Sequence, residues 1–76
     1  MTTDPLITFG QRLIELRKIK GWSQERLALE SGLARSYVGG IERGQRNLAV
    51  LNIYRLAEAL EVAPSTLLEP PKRKKS

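Results

Sequence analysis

The sequence has no cysteine and no histidine. The first absence excludes a disulfide framework, and the two together remove the common thiolate and imidazole ligands of a transition-metal site. Aromatic residues are scarce: one Phe, one Trp and two Tyr among 76 residues. No apolar run approaches the length of a membrane span or a signal-peptide core, so a soluble, cytoplasmic chain is expected. Strand-like alternation and internal repeats are also absent. No nucleophile–base constellation, metal-ligand cluster or phosphate-cradling glycine loop is present. An enzyme is thus the least favoured class, and no cofactor, metal or small-molecule ligand is expected.

What is present is one small domain, near the size at which a single core sustains folding without staples. Its formal charge is +5, and Lys72, Arg73, Lys74 and Lys75 supply four of those charges. The body is therefore near neutral, and local placement matters more than the total. Arg35, Arg43 and Arg46 fall in a short span whose only acid is Glu42.

Residues 1–5 offer little to bury and read as a flexible arm. Phe9, Leu13 and Leu16 have helical spacing in a first helix over 6–20. Gly21 stops it, with Lys18 and Lys20 in a last turn that suits positive charge. Ser23 is a natural N-cap for a second helix, which Gly32 ends. A third helix runs from Arg35 to Arg43 and ends at Gly44. The fourth, over 49–61, carries an apolar stripe of Val50, Ile53, Leu56, Ala57 and Leu60. Pro64 to Leu68 reads as a short closing helix, and Pro70-Pro71 blocks continuation before a basic, disordered tail over 70–76. The fold class is all-α, with five short helices in one compact domain over 6–69.

The segment from Ser23 to Glu42 has the spacing of a helix-turn-helix formed by helices two and three. Small Ala28 sits at a close helix crossing, and Gly32 sits where the turn needs positive φ. Val38 and Ile41 give the second of these helices an apolar side. Arg35, Ser36 and Tyr37 then fall at its start, free to face the DNA major groove.

This order of helices, with Leu16-Arg17, Gly21-Trp22-Ser23-Gln24, Ile41-Glu42-Arg43-Gly44 and Leu56-Ala57-Glu58-Ala59-Leu60, resembles the lambda-repressor-like Xre family of DNA-binding domains. The run from Arg35 to Asn47 resembles, more narrowly, the controller proteins of restriction–modification systems. The resemblance implies a homodimer on a palindromic double-stranded operator. It also implies control of its own gene and of a linked endonuclease gene, activating at low concentration and repressing at higher concentration. RNA polymerase is then a candidate partner. The other regulators of this kind are a phage-type repressor and an antitoxin that represses its own operon. A protein-interaction adaptor that has abandoned DNA is the reading from another class.

Arg35 can fork onto guanine O6 and N7 or hold a phosphate. Ser36 and Tyr37 can touch bases or phosphates, although the Tyr37 ring can instead pack on the domain. Family members commonly hold a phosphate at the position of Gln24. Arg43, Gln45, Arg46 and Asn47 suit backbone clamping, and Asn47 competes as a helix cap. Gly39-Gly40 costs about 1 kcal/mol per glycine inside a helix. One of the pair, Gly39, is expected to bring the helix close to DNA, and the other to permit close helix packing. The resemblance pairs Arg17 with Glu42 structurally, between helices one and three.

Leu48, Leu51 and Tyr54 lie beside the helix-four stripe and form the expected twofold contact, with Asn52 and Arg55 as polar neighbours. Ala34 and Ala49 stand where the family usually has helix caps, leaving Ser36 and Asn47, or binding itself, to compensate.

Overall fold

The computed structural model describes residues 4–72. The remainder of the expected arm (1–3) and of the expected tail (73–76) lies outside the described residues. Five helices follow in order: α1 (Pro5–Ile19), α2 (Gln24–Ser31), α3 (Arg35–Glu42), α4 (Val50–Leu60) and α5 (Pro64–Leu67). No strand occurs among the described residues. The all-α reading of the sequence is the observed architecture.

α1 begins inside the expected arm. Asp4 is its N-cap, its Oδ1 accepting from the Leu6 N–H at 2.9 Å, and Pro5 takes the first helical position. A proline there loses nothing, because that N–H has no helical partner. Ser23 caps α2 by accepting from the Arg26 N–H at 3.0 Å. Gly32 closes α2 at φ 74°. α3 and α4 start at Ala34 and Ala49 without any side-chain cap, so neither Ser36 nor Asn47 compensates there.

Leu13, Leu27, Val38, Ile41, Leu56 and Leu67 are fully buried at the centre, one or more from each helix. α3 lies across α1 and α2, while α4 packs on α2 and α5. The tightest crossing is at Gly10 of α1. A Cβ there would stand 2.5 Å from the Ile41 carbonyl oxygen and 2.7 Å from that of Glu42. Close helix packing is expected of Gly40, yet the atoms nearest a Cβ there belong to the Arg46 side chain rather than to a helix backbone.

Two features depart from the sequence reading of the core. Val50, expected in the α4 stripe, is 68% exposed. At about 100° per residue it lies within about 20° of buried Ala57, two turns on, so its place as the first residue of α4, and not the face it lies on, leaves it uncovered. Arg12, which the pattern does not single out, is 3% exposed. Its guanidinium donates to the Thr66 carbonyl at 2.9 Å and pairs with Glu15 and Glu69 at 2.8 and 3.3 Å, tying the α5 end to α1. Glu15 also accepts from the Lys72 N–H, so the start of the basic segment turns back onto α1.

Candidate nucleic-acid interface

The core fixes α3 by its apolar side and leaves its N-terminal turn at the surface. Arg35 and Ser36 are exposed there, while Tyr37 is half-buried. The loop after α3 brings Arg43, Gln45, Arg46 and Asn47 to the same side, all of them exposed.

Gly39 and Gly40 explain how these loop cations are held. A Cβ at Gly39 would stand 3.2 Å from Arg43 Nη1 and 3.6 Å from Gln24 Oε1. At Gly40 it would stand 2.8 Å from Arg46 Cγ. The glycine pair is thus a bare strip of α3 on which two arginine side chains lie. Arg43 Nε is further oriented by donating to Gln45 Oε1 at 3.0 Å. The Arg46 guanidinium stands 5.7 Å from the Tyr37 ring centroid, within cation–π range.

At the other end of α3, the buried carboxylate of Glu42 is a junction. Arg17 donates to it from Nε at 2.7 Å and from Nη2 at 3.0 Å. Gln24 Nε2 adds a third bond of 2.7 Å. Arg17 Nη1 also donates to the Trp22 carbonyl at 2.8 Å. One acid thereby ties α1, the start of α2 and the end of α3 together. The expected phosphate-facing Gln24 is half-buried, with its amide anchored internally.

The sequence reading misses the bond from Asn52 Nδ2 to the Tyr37 hydroxyl, 3.1 Å long. That hydroxyl in turn donates to the Asn47 carbonyl at 3.3 Å. Nothing in helical periodicity announces a contact between α4 and α3. It misses Trp22 as well, whose ring lies 4.9 Å from Lys20 Nζ and 4.8 Å from the Arg26 guanidinium.

The residues expected at a twofold contact do not share one face. Leu51 and Tyr54 are 61% and 58% exposed, and Val50 joins them. Arg55 is exposed beside Leu51. Leu48, in contrast, is half-buried against the core, and Asn52 is turned to Tyr37.

The family model for helix-turn-helix proteins matches residues 13–67. The chain belongs to this family. The helix-turn-helix assignment makes it a DNA-binding transcription regulator with a lambda-repressor-like fold. The crystal structure of the restriction-modification controller protein C.AhdI from Aeromonas hydrophila is 63% identical, with a TM-score of 0.81 over 82% of this chain and 94% of that one. The controller protein C.Esp1396I, solved as a tetramer in complex with its natural 35 base-pair operator, is 33% identical, with a TM-score of 0.78 over 87% of each chain. A hypothetical transcription factor of Neisseria meningitidis is 44% identical over 69 residues. That match covers 91% of this chain, which spans 63% of the Neisseria protein. Among the described residues no helix is long and apolar enough to cross a membrane.

Proposed function

We propose that this helix-turn-helix protein acts as a controller protein, binding a palindromic operator as a homodimer and regulating its own gene and a linked restriction endonuclease gene. The observation that carries this reading is the surface formed by the α3 N-terminus and the loop over 43–47. There exposed Arg35 and Ser36 stand on the same side as Arg43 and Arg46, which lie on the Gly39-Gly40 strip.

On this reading Arg35 contacts a guanine edge, and Ser36 and Tyr37 touch neighbouring bases or thymine methyl groups. Arg43, Gln45, Arg46 and Asn47 hold the backbone, with Gln24 beside them, and Gly39 lies buried beneath Arg43 and Gln24, where it lets both side chains approach α3. The patch of Val50, Leu51 and Tyr54, flanked by Arg55, supplies an isologous contact. Such a contact sets two recognition helices about one DNA turn apart, roughly 34 Å. Activation would bring RNA polymerase to the bound dimer, a step that rests on the resemblance to controller proteins alone. The working compartment is the bacterial cytoplasm, on the nucleoid when bound.

Selection from a random-sequence duplex pool tests this directly. An enriched site with twofold symmetry, bound with steep salt dependence, is the expected result. Binding without sequence preference, or no binding at low salt, would contradict it.

A further inference from the structure

Asn52 sits on α4, the helix that carries the exposed apolar patch, yet it does not face that patch. At about 100° per residue it is roughly 160° round the helix from both Val50 and Tyr54. Its side chain is half-buried and turned toward α3, where Nδ2 meets the Tyr37 hydroxyl at 3.1 Å.

The polarity of this contact follows from its neighbour. The Asn47 carbonyl, 3.3 Å from the same hydroxyl, can only accept, so the phenol spends its one hydrogen there. The Asn52 amide must then be the donor. Its N–H occupies one phenol lone pair and obliges the phenol hydrogen to point away from α4. A DNA acceptor at that side takes the hydrogen by displacing the long bond to Asn47. The remaining lone pair stays open to a base amino group. Arg46, stacked on the ring, holds the phenol from a second direction.

We infer that Asn52 is a positioning residue for Tyr37, fixing the place and the hydrogen direction of the phenol that the recognition helix presents to DNA. The inference rests on the proposed reading of the α3 surface as the DNA interface. It gives the dimer helix a direct hold on a base-reading side chain.

The test uses the full chain, a duplex selected by the native protein from a random-sequence pool, and an unrelated duplex of equal length. Asn52→Leu, which keeps the branched shape and heavy-atom count and removes the donor, is expected to lower the ratio of selected to unrelated affinity by about threefold to tenfold. Sedimentation should show its dimerisation unchanged. Tyr37→Phe should lower the ratio too, and the double variant should be no worse than Tyr37→Phe alone. Without DNA, both single variants should speed amide exchange in the loop over 45–48. An unchanged ratio for Asn52→Leu, weakened dimerisation, or a full additional loss in the Tyr37→Phe background would overturn the inference. If the pool yields no preferred sequence, the reading of the surface fails instead. The exchange measurement then decides alone: faster loop exchange supports Asn52 as the anchor, and unchanged exchange refutes it.

Discussion

Arg17 and Glu42 meet across the α1–α3 junction through paired bonds of 2.7 and 3.0 Å. The Glu42 side chain is 2% exposed and that of Arg17 12%, so the pair is buried. A buried pair adds little over a well-packed apolar pair, but breaking it strands a charge. Here the pair also anchors the C-terminal end of α3, because Glu42 is its last residue.

Glu42→Ala is therefore expected to destabilise the fold by about 3–5 kcal/mol, leaving Arg17 and Gln24 without their shared acceptor. Urea unfolding of the DNA-free protein measures this. The combined Arg17→Met and Glu42→Leu variant should recover much of the loss.

Gly10→Ala should also destabilise, by about 1–3 kcal/mol, although alanine is the better helix former. Its methyl would meet backbone oxygens of Ile41 and Glu42, which cannot move without shifting α3. A raised thermal midpoint for this variant would show that the α1–α3 crossing has room for a methyl group.

Gly40→Ala should behave in the opposite way. The three atoms nearest the new methyl all belong to Arg46, an exposed side chain that must turn about its Cα–Cβ bond to clear it. Thermal stability should rise through the gain in helix propensity, by up to about 1 kcal/mol. DNA affinity should fall, and the slope of log affinity against log salt should flatten by about one counterion as Arg46 leaves its place.

Leu51→Lys places a charge in the exposed patch of Val50, Leu51 and Tyr54. Sedimentation equilibrium should show the native protein as a dimer at high micromolar concentration and the variant shifted to monomer. A native protein that stays monomeric there would remove the proposed twofold contact.

Much of this arrangement is legible in the sequence. The spacing of Phe9, Leu13 and Leu16, the cap at Ser23 and the left-handed Gly32 are local signals, and each element follows from them. What stays hidden depends on distant partners. No periodicity singles out Arg12, whose guanidinium is held by the Thr66 carbonyl, 54 positions along the chain. No local signal marks Gly10, whose role appears only once the α3 carbonyls lie across it. Asn52 reads as a polar rim residue because no period relates α4 to Tyr37. Val50 reads as core because its azimuth nearly matches that of buried Ala57, and periodicity does not show that the first turn of α4 is uncovered.

In the proposed interface Arg35 reads sequence while Arg43 and Arg46 hold the backbone. The most direct measurement is the affinity of the native protein and of Arg35→Ala for the selected duplex and for an unrelated one, across a salt series. The account predicts that Arg35→Ala loses about 1–3 kcal/mol of discrimination at one base pair in each half-site, while binding to the unrelated duplex persists. Unchanged discrimination, with an equal loss of affinity for both duplexes, would make Arg35 a phosphate contact and contradict the account.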